Sequence, residues 1–293
     1  MPAALVFLNE RSGTSRSRDA IAQAFAAVNI PCQVRILNRH INLPAIIDYA
    51  ASTGTAIVAA GGDGTVNCIA SAVVEKHPEA SFGVLPVGTL NHFAKDMKLP
   101  LTLEAAARVI GAGVTRQVDA GEVNGHLFVN NSSIGFYPGM VLQRERLRKV
   151  GWNKWASLLI ASLRAFLRFR HLRVRVTLPN GECLHRTTPF VFVGNNEYTM
   201  EGIAAGTRER LDTGRLYLYM APGANRLSLL RLTLAALRNK VRESPNFESL
   251  CVEAFTVDHR RRTAHVALDG EVVRTKGPLH YRIRPLALKV LVP

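Results

Sequence analysis

Cysteines, acidic residues and long apolar runs are all scarce in this chain. Its 293 residues include four cysteines, Cys32, Cys68, Cys183 and Cys251, which stand far apart. None are spaced as metal-ligand pairs, and a reduced, cytosolic setting fits best. Nothing reaches the roughly 20 consecutive apolar residues that a membrane-spanning helix needs. The apolar start, Ala3 to Leu8, has no basic flank and is stopped by Asn9-Glu10-Arg11, so a strand is expected there and not a signal peptide. Acidic side chains are outnumbered 22 to 37 by Lys and Arg, a formal net charge of +15. That excess selects anionic company: nucleic acid, acidic lipid or phosphorylated ligands. No nucleic-acid module accompanies the charge, and bulk charge alone is nonspecific, so no nucleic-acid partner is expected. With 47% apolar and 20% charged residues the composition is globular, and the length suffices for two domains with cores of their own.

The most informative stretch runs from Ala56 through Ile57-Val58-Ala59-Ala60 into Gly61-Gly62-Asp63-Gly64-Thr65-Val66-Asn67. A short apolar run bounded by glycines reads as a buried parallel strand. Val66, Ile69, Ala70, Val73 and Val74 then recur at helical spacing, with Thr65 as the expected N-cap. Strand, glycine turn and helix start make a cradle for phosphate, because glycine lets the backbone approach and the helix dipole favours an anion. Asp63 would repel phosphate on its own, so it is expected to hold Mg²⁺ or handle a proton. The plainer alternative is a tight turn capped by an Asp.

The GGDGT run resembles the nucleotide-binding signature of the diacylglycerol kinase catalytic-domain superfamily, which includes sphingosine, ceramide and bacterial lipid kinases. NAD kinases and phosphofructokinases carry a related turn. Two further loops extend the resemblance. Asn9-Glu10-Arg11-Ser12-Gly13 is similar to the family's first nucleotide loop, with Glu10 in place of its usual Pro. Pro86-Val87-Gly88-Thr89-Leu90-Asn91-His92-Phe93-Ala94 is similar to its Pro-x-Gly-Thr-x-Asn-x-x-Ala motif. By this resemblance Asn9, Ser12, Gly13, Gly61, Gly62, Gly64, Thr65, Val66, Asn67, Gly88, Thr89 and Asn91 bind the nucleotide. His92 reads as a helix-start residue rather than a base.

Helices are expected over Arg16 to Val28, Pro44 to Ala51 and Leu101 to Ile110, alternating with strands at Ala3 to Leu8, Cys32 to Leu37, Ala56 to Ala60 and Ser81 to Leu85. This rhythm predicts an open parallel α/β sheet with its ligand loops at the carboxyl ends of the strands. Beyond Gly121 the pattern changes to strand-like runs at Leu127–Val129, Leu172–Leu178, Phe190–Val193, Leu216–Met220, Val252–Val257, His265–Leu268, Leu279–Ile283 and Leu288–Val292. The expected architecture is α/β plus β. Residues 1–120 form an NAD kinase/diacylglycerol kinase-like nucleotide domain, and residues 121–293 a mainly antiparallel β-sandwich that binds the lipid. Asn130-Asn131-Ser132-Ser133-Ile134-Gly135 and Gly194-Asn195-Asn196 also match recurring family segments.

Leu268-Asp269-Gly270-Glu271 has strong hairpin chemistry. The family resemblance places this Asp-Gly-Glu at the catalytic centre, reaching an interdomain cleft. Glu271 is then the general base for a lipid hydroxyl, Asp269 its supporting carboxylate, and Asp63 the organiser of the Mg²⁺–nucleotide. One departure stands out. Leu211-Asp212-Thr213-Gly214 has Thr213 where bacterial members carry an Asp of a structural Mg²⁺ site, a poor exchange for a hard cation. With Arg210 and Arg215 nearby, that metal is not expected to bind, and an Arg side chain is a candidate to fill the position.

Between Gln143 and Arg175 ten Lys and Arg residues face only Glu145, and Trp152 to Phe169 interleaves them with apolar residues at helical spacing. Arg226 to Arg242 repeats the pattern. Such segments read either as core-packed helices with a solvated face or as surfaces for anionic membranes. The resemblance therefore implies an ATP- and Mg²⁺-dependent lipid kinase acting on diacylglycerol or a related lipid in phospholipid biosynthesis, cytoplasmic and peripheral at the inner membrane face, with homo-oligomerisation open. The alternatives are a sphingoid-base or other lipid kinase, and a noncatalytic lipid- or nucleotide-binding protein.

Overall fold

The computed structural model describes residues 3–10, 18–38, 41–149, 160, 164, 171–199, 206–225, 227–229, 231, 235, 247–260 and 262–293. The chain divides into two compact units, one of Met1–Ala120 with Arg284–Pro293 and one of Gly121–Ile283.

The first unit alternates strand and helix: β1 (Ala4–Leu8), α1 (Arg18–Ala26), β2 (Cys32–Ile36), α2 (Leu43–Ser52), β3 (Ala56–Gly61), α3 (Asp63–Lys76), β4 (Ser81–Pro86), α4 (His92–Asp96) and α5 (Leu103–Ala112). The strands pair in parallel in the order β2-β1-β3-β4. Every residue of β1 and β3 is buried, as expected of central strands covered on both faces. Ile21, Ala24 and Phe25 of α1 and Ala106, Ala107 and Ile110 of α5 pack over Val6, Val58 and Leu85 of the strands. This parallel order brings the ends of β1, β3 and β4, where Asn9, Gly62 and Val87 follow, to one edge of the sheet.

Among its described residues the second unit is built mainly of strands, with one helix, Phe136–Lys149, between the first of them and further helical residues at 160, 164, 227–229, 231 and 235. Its elements, of which the first and last also run into the first unit, are β5 (Thr115–Val123), β6 (His126–Phe128), β7 (Asn131–Gly135), α6 (Phe136–Lys149), β8 (Leu172–Thr177), β9 (Cys183–Thr188), β10 (Phe190–Asn195), β11 (Leu216–Met220), β12 (Glu248–Val252), β13 (Ala254–His259), β14 (Thr263–Leu268), β15 (Glu271–Lys276) and β16 (Leu279–Leu291). Six strands make an antiparallel sheet in the order β12-β11-β10-β7-β14-β15. Against it lie β8, β9, β13 and the first part of β16, also antiparallel. The apolar sides meet in one core, with Ile134, Val191, Leu218 and Val266 from one sheet and Val174, Val257 and Tyr281 from the other. Phe255 stacks on Tyr281 at 4.8 Å between centroids. This is a β-sandwich, as the alternating short strands predict.

Four local differences have physical causes. Val252–Val257 is two strands in different sheets, because the chain breaks at Glu253 to switch from β12 to β13. Leu279–Ile283 and Leu288–Val292 are instead one strand, β16, which passes Leu286 at φ 49°. Its last residues pair in parallel with β4, Lys289 with Ser81 and Val290 with Phe82, so Arg284–Pro293 belongs to the first unit and not to the second. The helix after the glycine turn starts at Asp63 with Gly62 as N-cap, so Thr65 is not the cap but a buried residue of the first turn. No described helix is long and apolar enough to cross a membrane. The basic segment Trp152–Phe169, apart from residues 160 and 164, and most of Arg226–Arg242 lie outside the described residues.

Candidate active site

The first unit gathers the predicted nucleotide residues around the start of α3. Asn9 continues β1, its N–H donating to the Ala60 carbonyl, and its Nδ2 donates to Thr65 Oγ1 at 2.9 Å. Thr65 thereby ties the end of β1 to the helix start. It lies where a side chain on Gly61 would have to go: a Cβ there would come within 2.4 Å of Thr65 Cβ and Oγ1. The last residue of the strand therefore has to be glycine. Gly62 and Gly88 are in contact as well. A Cβ on Gly88 would sit 2.3 Å from the Gly62 Cα and 2.6 Å from Asn91 Oδ1.

Asp63 and Asn91 hold the third loop. Asp63 Oδ1 accepts the Phe93 N–H at 3.1 Å, which fixes the loop between β4 and α4 to the start of α3. Asn91 stands at φ 51°, and its Nδ2 donates to the carbonyls of Pro86 at 3.3 Å and Gly88 at 3.0 Å. Its Oδ1 is buried and has no hydrogen-bond partner. A buried amide oxygen without a donor is costly, and a ligand donor would remove that cost. Gly64, Val66, Asn67 and Thr89 flank these groups; Asn67 Oδ1 accepts Ser71 Oγ at 3.4 Å, and Thr89 is exposed. Ser12 and Gly13 lie outside the described residues. His92 is exposed at the start of α4. The bare glycine backbone and the N-terminal end of a 14-residue helix fit a phosphate group, whereas the unspent Asn91 oxygen calls for a ligand N–H or O–H donor.

The second unit holds the Asp-Gly-Glu turn. Asp269 and Gly270 have φ 48° and 88°, the two positive values of a type I′ hairpin turn joining β14 to β15. Asp269 is buried, and both of its carboxylate oxygens are engaged. Oδ2 accepts the Val129 N–H at 2.8 Å, and Oδ1 accepts those of Asn130 and Asn131 at 2.8 and 2.9 Å. Burial pushes its carboxyl up to about 6, against the opposing pull of these three N–H groups and the nearby Arg208 guanidinium. Asp269 is thus a staple that locks the hairpin to the segment between β6 and β7. Two residues on, Glu271 opens β15 and is exposed to solvent.

Arg208, which the sequence did not single out, is inserted beside this staple with 2% exposure. Its Nη1 donates to the carbonyls of Val129 and Asn195, both at 2.8 Å, and its Nη2 to Asn130 Oδ1 at 2.7 Å. Its guanidinium also lies 5.4 Å from the centre of the Tyr198 ring. The two arginines named from sequence are elsewhere: Arg210 pairs with Asp212 and Arg215 with Glu253. Thr213 gives both its N–H and its hydroxyl to Asn196 Oδ1. The paired asparagines now have roles. Asn195 Nδ2 donates to the Val129 carbonyl, Asn131 Nδ2 to the Tyr198 hydroxyl, and Asn196 Nδ2 to Asn195 Oδ1.

Comparison with known proteins follows the same division. Residues 3–123 match the family model of the diacylglycerol kinase catalytic domain, and residues 142–292 that of the YegS C-terminal NAD kinase beta sandwich-like domain. Over 298 aligned residues the chain is 30% identical to a Pseudomonas aeruginosa protein named "Probable lipid kinase YegS-like", covering 99% of this chain and 93% of that one. A Pseudomonas fluorescens protein of the same name is 28% identical, with 99% and 95% covered. A diacylglycerol kinase from Bacillus anthracis superposes with a TM-score of 0.75 at 17% identity, covering 99% and 97% of the two chains. An NAD kinase from Archaeoglobus fulgidus, solved with ATP, superposes at 0.50 and 13% identity, with 99% and 93% covered. These two structures share the fold. The chain belongs to the diacylglycerol kinase catalytic-domain superfamily, within its YegS-like lipid kinases, and is a kinase of that family.

Proposed function

We propose that the chain transfers the γ-phosphate of ATP to a hydroxyl of diacylglycerol or a related lipid, with Glu271 as general base. The observation that carries this reading is an exposed carboxylate fixed on the Asp269 staple, in a chain that also builds a glycine cradle suited to phosphate. A lipid hydroxyl is a weak nucleophile. Glu271 accepts its proton as the hydroxyl oxygen bonds to the γ-phosphorus and the bond to the ADP oxygen breaks. Asp63, at the helix start, is the carboxylate that would hold the Mg²⁺ of the nucleotide. When bound, that ion neutralises charge on the transferring phosphoryl group.

The test is transfer of labelled γ-phosphate from ATP to a lipid extract in micelles, with separate diacylglycerol and sphingoid-base arms. A labelled diacylglycerol product is the expected result. Label only on a sphingoid base would replace the acceptor, and no label with nucleotide binding intact would favour a noncatalytic lipid- or nucleotide-binding protein. Gly88→Ala probes the cradle separately. Its Cβ meets the Gly62 backbone as well as Asn91 Oδ1, so the loops must part, and ATP affinity measured by calorimetry should fall about tenfold, roughly 1.4 kcal/mol.

The net charge of +15 and the basic run from Gln143 to Arg175 support a place at the anionic inner face of the membrane, in phospholipid biosynthesis. Binding to vesicles should rise with the fraction of anionic lipid and fall as salt shortens the screening length. Equal binding to neutral vesicles in high salt would remove that part of the proposal.

A further inference from the structure

The oxygen atoms around Arg208 form a cation site that is already filled. Two main-chain carbonyls, Val129 and Asn195, and the side-chain oxygen of Asn130 all point at one guanidinium, and Tyr198 covers it. Hard divalent ions take carboxylate and carbonyl oxygens of this kind. Here the nearby carboxylates are committed: Asp269 to three N–H groups, and Asp212 to Arg210 at 3.1 Å. Thr213 spends its hydroxyl on Asn196. Among the described residues no group of three His, Cys, Asp or Glu side chains could hold a metal. A dication added to these oxygens would also lie against a buried positive charge, and burial makes that repulsion strong. The structural Mg²⁺ that the family resemblance implies near Thr213 therefore does not fit.

We propose that Arg208 is the built-in structural cation of the second unit, replacing a divalent metal and positioning the Asp269–Glu271 turn. The same segment carries both contacts: Val129 and Asn130 give their oxygens to Arg208 and their N–H groups to Asp269. Arg208 thus braces the same peptide segment whose N–H groups hold the hairpin. The guanidinium fork suits this task, since one planar group reaches three acceptors and always stays charged. The part of the proposal that concerns Glu271 rests on the lipid kinase reading; the part that concerns the metal does not.

The experiment has three arms on the full chain. First, thermal unfolding of the wild type without nucleotide is compared in EDTA and in excess MgCl₂, where the midpoint should not move; a rise with MgCl₂ would overturn the proposal. Second, Arg208→Ala should retain the nucleotide KM while kcat falls, roughly a hundredfold for a displaced reacting group. Third, millimolar guanidinium should restore turnover and raise the variant's unfolding midpoint, whereas equal NaCl or MgCl₂ should not. Unchanged kcat, or rescue by MgCl₂ in place of guanidinium, would refute the assignment. If Arg208→Ala does not fold, Arg208→Lys keeps the charge without the fork and should show the same loss of kcat. If the wild type itself phosphorylates no lipid, the lipid kinase reading fails, and the unfolding arms still decide whether Arg208 stands in for the metal.

Discussion

Replacing Glu271 by Gln should lower kcat by about 10²–10⁴-fold, the usual contribution of a general base, while leaving ATP binding and unfolding free energy where they are. The separation follows from where the side chain stands. Glu271 is exposed at the first position of β15, and its neighbours in the ladder are held by main-chain pairing of β14 with β15. Exposed substitutions away from caps and networks usually change stability by less than about 0.5 kcal/mol. Gln keeps the size and one side-chain oxygen but cannot take up a proton at neutral pH. Turnover measured beside urea unfolding checks both halves. Near wild-type kcat in Glu271→Gln would take the base away from Glu271, and a large loss of stability would mean that the residue serves the fold.

The ease of reading this chain varied with the range of the interaction concerned. The strand, glycine turn and helix start were legible because their parts are consecutive: an apolar run that only a buried parallel strand explains, then glycines, then helical spacing. The role of Thr65 was misjudged for a reason inside the same turn. A Thr near a helix start is most simply a cap, but the bare Cα of Gly61 lets Thr65 sit one turn further in and bond Asn9. The Asp269 hairpin was legible from Asp-Gly between strand-forming residues, whereas its three N–H partners were not, since they come from Val129 to Asn131, far away in sequence. Arg208 left no trace at all. It sits in no periodic element, its acceptors are mostly main-chain oxygens, and any basic residue in that loop had an equal claim on paper. The path of β16 was hidden similarly: one strand serves both units, so the final residues look like more of the sandwich until their pairing with β4 is seen.

Asp269→Ala should destabilise the protein by about 2–5 kcal/mol, the largest loss expected from any single change in the turn. Three N–H groups lose their acceptor, and leaving a buried donor unpaired costs about 1–3 kcal/mol each. Arg208 also loses the negative charge beside it, and removing one partner of a buried pair is itself costly. One effect runs the other way. The carboxyl is held up at about 6, above its ordinary 3.8, so the ionised form is disfavoured in the folded state. Keeping that group ionised in the fold at neutral pH costs about 3 kcal/mol, which the substitution relieves. The sign of the pH dependence follows. Between about pH 4 and pH 6 the folded state binds this proton and the unfolded state does not, so the wild type gains stability from Asp269 as pH falls through that window. Alanine has no such proton. The gap in unfolding free energy between wild type and Asp269→Ala should therefore widen on going from pH 7 to pH 5, by about 1 kcal/mol. Urea titrations of the two proteins at both pH values measure it directly, since other titrating groups contribute alike to both and cancel. A gap that narrows toward pH 5 would mean that the three N–H groups and Arg208 outweigh burial and hold Asp269 ionised.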